Sequence, residues 1–184
     1  ASDCVLVVEP GLGPQGKLKT SRKGTGDYTV RVTGIASHAG VDFLAGASAI
    51  LELARQIERI ASFTDLAKGI TVNPGVIRGG TRGNVVAAEA KVLVDIRIAR
   101  LKDFAVLDRK FRNLKPVDRR CSIEVDGGLN RPPMERSKGV VEKFRLAKRL
   151  AAEMGLYLEE AMTGGGSDGN FTAALGIPTL DGLG

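Results

Sequence analysis

Hydrophobic positions change their spacing several times along this chain. Cys4-Val5-Leu6-Val7-Val8 is a short unbroken apolar run closed by Glu9-Pro10, the pattern of a strand buried on both faces, as in a parallel sheet. Residues 10–27 carry Pro10, Gly11, Gly13, Pro14, Gly16, Gly24 and Gly26 among several charges, which predicts a long connection at a domain boundary. From Tyr28 the period becomes two. Tyr28, Val30 and Val32 alternate with Thr29, Arg31 and Thr33, as in a half-buried strand. After Ser37-His38-Ala39-Gly40, the positions Phe43, Ala47, Ile50, Leu51, Ala54, Ile57 and Ala61 recur at helical spacing. They predict a helix of about 20 residues with Asp42 as its N-cap. Ile70, Val72 and Val76 read as a strand that Pro74 confines to an edge or a bulge. The cluster Gly79, Gly80, Gly83 turns the chain, and Val92, Val94, Ile96 and Ile98 then alternate with Leu93, Asp95 and Arg97 in the clearest strand. Phe104, Leu107, Phe111 and Leu114 share one face of a second helix that stops before Pro116. Cys121, Ile123 and Val125 close the region as a strand.

The order over residues 28–126 is therefore β-α-β-β-α-β, that of a ferredoxin-like sandwich with a four-stranded antiparallel sheet and two helices on one face. Beyond Gly127-Gly128 and Pro132-Pro133 the character changes. Residues 137–154 form an amphipathic helix with Val140, Val141, Phe144, Ala147, Ala151 and Met154 on one face and Ser137 as cap. Leu156-Tyr157-Leu158 reads as a short strand, Gly169–Leu175 as a short helix, and Pro178-Thr179-Leu180 as a further strand. The expected fold class is thus α/β together with α+β. A ferredoxin-like domain (28–126) is inserted in an incomplete α/β domain made of residues 1–27 and 127–184. A doubly covered parallel sheet needs more strands and helices than these segments supply, so the chain reads as a piece of a longer protein.

Composition narrows the chemistry. At 184 residues, 43% hydrophobic and 26% charged, the chain is ordinary globular material. No apolar run is long enough for a membrane helix. No signal peptide is visible at the start, and Cys4 and Cys121 form neither a disulfide framework nor a metal-finger spacing. The expectation is a cytoplasmic protein, with a periplasmic or secreted parent left open because the true N-terminus is not present. One histidine in the whole chain excludes a self-contained His-rich metal site. The net charge of +6 is spread over basic residues that mostly alternate with apolar ones at helical spacing, which describes solvated helix faces rather than a nucleic-acid footprint.

Five places carry candidate chemistry. Glu9 stands at the carboxyl end of a buried strand, the edge where open α/β sheets bind ligands. The alternative is an ordinary loop carboxylate. His38, between a strand and a helix, is either a loop residue or a donor to a substrate oxygen. Arg97 projects from the polar side of its strand and is either a bidentate carboxylate clamp or one half of a surface pair with Asp95 or Glu89. Asn84 follows Gly83 as a turn residue or a substrate donor. Gly164-Gly165-Gly166-Ser167-Asp168 precedes a helix and is either an anion cradle or a flexible capped turn. It has neither the lysine of a P-loop nor the dinucleotide spacing.

Taken in order, Val7-Val8-Glu9-Pro10, Ser37-His38-Ala39-Gly40, Gly83-Asn84-Val85-Val86, Val94-Asp95-Ile96-Arg97 and Gly164-Gly165-Gly166-Ser167-Asp168-Gly169 resemble the zinc-dependent glutamate carboxypeptidases. Their relatives include the acetylornithine and succinyl-diaminopimelate deacylases and the aminoacylases, and the bacterial glutamate carboxypeptidase branch is the most similar. The resemblance covers essentially all of the chain. It implies a metallohydrolase with two zinc ions in the intact enzyme and a dimerisation domain inserted in the catalytic one. Glu9 would be a zinc ligand. His38 would reach the partner subunit's active site, Asn84 and Arg97 would hold the substrate carboxylate, and Gly165 and Gly166 would line the pocket. The family's His-x-Asp motif, bridging Asp, catalytic Glu-Glu pair and late His have no counterpart here. Those elements are expected outside residues 1–184, which leaves this chain inactive by itself and its own zinc site incomplete. The expected partners are a second copy, paired through residues 28–126, and a small peptide or N-acyl amino acid substrate, with no nucleic acid and no membrane. Two other readings stand beside this one. One is a pure dimerisation module. The other is a ferredoxin-like RNA binder, disfavoured because its strands offer only Tyr28 for stacking.

Overall fold

The structure, a computed structural model, describes residues 3–184. Ala1 and Ser2, at the start of the expected 1–27 segment, lie outside the described residues. In chain order its elements are β1 (Val5–Val7), β2 (Leu18–Arg22), β3 (Gly24–Thr33), β4 (Ser37–His38), α1 (Ala49–Ala61), β5 (Thr71–Gly79), β6 (Val85–Val86), β7 (Glu89–Ile98), α2 (Phe104–Arg112), β8 (Ser122–Arg131), α3 (Lys138–Glu153), β9 (Glu160–Thr163), α4 (Gly169–Ala174) and β10 (Thr179–Asp181). They form two compact units. A central unit takes Gly26–Ile96 and Lys102–Gly128, and a flanking unit takes Arg97–Leu101, Leu129–Gly184 and the described part of Ala1–Thr25.

The central unit has the sheet order β5-β7-β3-β8, the ferredoxin-like arrangement expected from the periodicity. Its core follows the alternation. Tyr28, Val30 and Val32 of β3, and Val92, Val94 and Ile96 of β7, are essentially inaccessible. Leu53 and Ile60 of α1 and Leu107 and Phe111 of α2 are buried with them. Each such side chain contributes about 1.5–3 kcal/mol by leaving water. The Tyr28 and Phe111 rings stack with centroids 3.9 Å apart, and Phe63 meets Phe111 edge-on. The Tyr28 hydroxyl donates to Asp108 Oδ1 at 2.6 Å; burial first, and then this bond, hold it protonated well beyond the ordinary tyrosine range.

Two expectations for this unit need correcting. Helix α1 starts at Ala49, not at Phe43: Ser48 is its N-cap, accepting from the Leu51 N–H at 3.2 Å. Asp42 instead heads a separate single turn over Phe43–Ala45 and makes no side-chain cap bond. Extended backbone at Gly46 (ψ 154°) separates the two. Strand β8 also runs on past Val125, through Gly127 and Gly128, to Arg131, and the two units divide within it, after Gly128. Gly127 has φ +111°, and a Cβ there would strike the Asp27 carbonyl and stand 2.9 Å from Tyr28 Cα, so the glycine admits a close strand crossing. Arg112 latches α2 to this crossing by donating to the carbonyls of Val125 and Gly127, each at 2.6 Å.

The flanking unit is a four-stranded sheet in the order β1-β10-β2-β9. β1 pairs with β10 and β2 with β9 in parallel, while β10 and β2 run antiparallel. The expected open layer is therefore mixed, and β2 falls inside the segment read as a connection. The last strand but one is Glu160–Thr163 rather than Leu156–Leu158: Leu156 and Tyr157 are exposed, and only Leu158 packs inward. Helix α3, capped by Ser137 as predicted, lays Val140 and Phe144 against Leu18 and Leu180.

Candidate functional site

In the flanking unit, Glu9, Thr25, Arg97, Arg131, Gly166, Ser167 and Asp168 line a basin of about 290 Å³. Glu9 follows β1, Arg97 stands near the end of β7, Arg131 closes β8, and the glycine loop leads into α4. Arg131 is held in place from two sides. Its Nη1 donates to Asp168 Oδ1 at 2.8 Å, and its guanidinium lies 5.0 Å from the Phe171 ring centroid. Asp168 spends its carboxylate on this pair and makes no cap bond to α4. Gly166 fits closely, since a Cβ there would come within 3.2 Å of Thr25 Cγ2 and 3.3 Å of Arg131 Cδ.

The loop is anchored from behind by buried polar groups. Arg22 donates through Nε and Nη2 to both oxygens of Asp181 at 2.8 and 2.7 Å, and through Nη1 to the Gly165 carbonyl at 3.0 Å. The Ser167 hydroxyl donates to Asp181 Oδ2 and accepts from the Gly169 N–H at 3.2 Å. The Ser167 N–H donates to Asn170 Oδ1 at 2.9 Å, and Asn170 Nδ2 reaches the carbonyls of Lys23 and Pro132. Asp181 and Asn170 are fully buried, Arg22 and Ser167 nearly so. A bidentate pair of this kind fixes geometry as well as charge. Gly165 thus stands behind the basin with its carbonyl turned to Arg22, while Gly166 lines it.

The other two candidates lie in the central unit. Strands β4 and β6 form a two-stranded ribbon that sets His38 opposite Val85, and the Ala39 N–H donates to the Asn84 carbonyl at 2.9 Å. His38 and Asn84 are therefore neighbours at one end of the ribbon, both exposed. His38 Nδ1 accepts from the Gly40 N–H at 3.1 Å, which in the neutral ring puts the proton on Nε2 and leaves that edge as the outward donor. Sequence reasoning missed Arg131 and Thr25 as lining residues. The only signal for Arg131 was a basic residue before the Pro132-Pro133 pair.

A family profile described as the peptidase dimerisation domain matches residues 20–114, more than half of the chain. The chain belongs to the M20 peptidase family. It is 30% identical to carboxypeptidase G2 of Pseudomonas sp. (strain RS-16) over all of its own length and 45% of that protein's. It is also 30% identical to the uncharacterized protein YqjE of Bacillus subtilis over 82% of this chain and 41% of the relative. The aminopeptidase PepT of Bacillus cereus shares the fold with a TM-score of 0.78 at 24% identity, covering 98% of this chain and 48% of that one. The chain spans less than half the length of each of these relatives. No helix among the described residues is long and apolar enough to cross a membrane.

Among the described residues no three His, Cys, Asp or Glu side chains come together as a metal site. Glu9 is the basin's one carboxylate besides Asp168, which is committed to Arg131.

Proposed function

We propose that this chain forms the carboxylate-holding and subunit-pairing part of a zinc-dependent M20 hydrolase that cleaves an amide or peptide bond beside a free carboxylate, with glutamate-type substrates favoured. The observation that carries the reading is the basin in which two guanidinium groups, Arg97 and Arg131, line one small concavity with Gly166. Planar guanidinium groups on strands are suited to fixing a carboxylate by paired N–H donors. In this reading Arg97 takes the substrate's terminal carboxylate. Gly165 and Gly166 shape the pocket, and Glu9 contributes one ligand to a metal centre completed by residues outside this chain. The outward Nε2 of His38 serves the developing oxyanion in the partner subunit. Hydrolysis adds water to the scissile carbonyl and releases the amine, and no proton transfer in it is assigned to this chain. The working compartment proposed is the cytoplasm.

A test is hydrolysis of N-acyl glutamates by the full-length gene product supplied with zinc. The expected result is turnover by that product and none by residues 1–184 alone. In the full-length enzyme Arg97→Lys should raise KM more than it lowers kcat. No turnover by the full-length product refutes the hydrolase reading. Robust turnover by the 184-residue chain refutes the division of labour.

The dimerisation-module reading has its own support in the matched profile and in β5, which sits at the edge of its sheet with Val76 and Ile77 exposed. Such edges pair readily across a two-fold axis. Sedimentation over a concentration series should show a monomer–dimer equilibrium, and a strict monomer counts against it.

A further inference from the structure

The central unit carries a second concavity that the hydrolase reading does not use. It measures about 610 Å³, and its lining includes Arg31, Arg78, Lys91, Glu89 and the Gly79-Gly80 turn. The three cations come from three neighbouring strands, Arg78 from β5, Lys91 from β7 and Arg31 from β3. Their residues face away from the core: Val30 and Val32 flank Arg31 and are buried, as are Ala90 and Val92 on either side of Lys91. Two backbone bonds set their register. The Gly80 N–H donates to the Glu89 carbonyl at 3.0 Å, and the Gly34 N–H to the Ala88 carbonyl at 2.7 Å. Carried inward along antiparallel ladders, these pairings set Arg78 opposite Lys91 and Lys91 opposite Arg31.

Like charges directly opposite each other across strands are destabilising, and here three stand in a row. The neutralising carboxylates are few. Asp126 meets Arg31 Nε only at 3.9 Å, and Glu89 is the single acid in the lining. The size of the concavity falls in the range of small-molecule sites.

We propose that this row is a binding site for a small anion bearing two or more negative charges, a polycarboxylate or a phosphate ester, whose acidic groups bridge adjacent cations and relieve their repulsion. The inference stands independently of the hydrolase reading.

The test is thermal unfolding and titration calorimetry of the 184-residue chain with citrate, with pyrophosphate, and with acetate at matched ionic strength. Citrate or pyrophosphate should raise Tm saturably where acetate does not, and the stronger of the two names the ligand's acidic group. Lys91→Glu removes the middle cation. It should raise Tm in the absence of anion and weaken multivalent-anion binding by about tenfold or more. Arg149→Glu, the same charge change on α3, should leave the response intact, and Arg78→Gln on the exposed edge strand gives a second reading of the row. The proposal is overturned if neither multivalent anion exceeds acetate, if Lys91→Glu lowers the anion-free Tm, or if Lys91→Glu and Arg78→Gln keep the wild-type response.

Discussion

The buried pair Arg22–Asp181 gives the sharpest test of how the flanking unit is held together. Asp181 is fully buried and receives two guanidinium bonds from Arg22 and one from the Ser167 hydroxyl, with Lys19 Nζ a further 3.9 Å away. Removing one partner of such a pair leaves an uncompensated buried charge and costs about 3–5 kcal/mol. The two partners are not equivalent here. Asp181→Ala leaves two buried cations, Arg22 and Lys19, facing each other, and it also strips the Ser167 hydroxyl of its acceptor. Its cost belongs at or above the top of that range, a large part of the roughly 5–15 kcal/mol that holds a domain folded. Arg22→Met leaves Asp181 with Lys19 and Ser167 and belongs nearer 2–3 kcal/mol, the low end for a truncated charge pair. Urea denaturation followed by far-UV circular dichroism measures both. With a slope of about 2–3 kcal/mol per molar urea, Asp181→Ala should move the midpoint down by about 1.7–2.5 M or more, and Arg22→Met by about half as much. The double variant Arg22→Met/Asp181→Ala should cost less than the two single variants summed, by a coupling energy of at least about 1.5 kcal/mol. An Asp181→Ala cost below about 1 kcal/mol, or additive single effects, would refute the reasoning.

The remaining predictions concern the central unit. Burial pushes the Glu52 carboxyl up, but N–H donation from Asp118 and Val117, the Gln56 amide and nearby Arg55 outweigh it and hold it below the ordinary glutamate value. Glu52 therefore contributes stability that is present above the unfolded-state pKa of about 4.3 and lost as pH falls through the lower folded value. Glu52→Gln should cost about 1–3 kcal/mol at neutral pH and flatten the acid limb in urea melts taken across pH; parallel limbs count against the assignment. Burial likewise pushes the Cys121 thiol up, so a thiol reagent should modify native protein at Cys4 first and at Cys121 only on unfolding. Mass mapping that finds Cys121 modified as fast as Cys4 contradicts the packing described.

The elements legible in the sequence are those whose stability comes from apolar burial. The alternation in β3 and β7 placed their core faces correctly, and Ser137 marked the start of α3, because burial and capping leave local signatures. Strand β2 was not legible. Its residues Lys19, Thr20 and Arg22 are buried, but Lys19 and Arg22 lie beside Asp181, more than 150 positions away. A charge made tolerable by a distant partner reads locally as a solvated loop. The candidate site divides the same way. Glu9, Arg97 and Gly166 line one basin, and Asn84 lies beside His38 at the end of the ribbon. Arg131 went unnoticed because its significance lies in Asp168 and Phe171, which hold it.

The central claim, that the guanidinium groups of the basin recognise a substrate carboxylate, is tested most directly by one comparison of rates. The full-length enzyme is given an N-acyl glutamate with its α-carboxylate free and the same compound with that group blocked as an amide. The account expects kcat/KM to favour the free acid by at least about a hundredfold, the scale of one lost charged contact of about 3 kcal/mol, and expects Arg97→Ala to erase most of that preference. Equal rates for the two substrates, or a preference that survives Arg97→Ala unchanged, would contradict it.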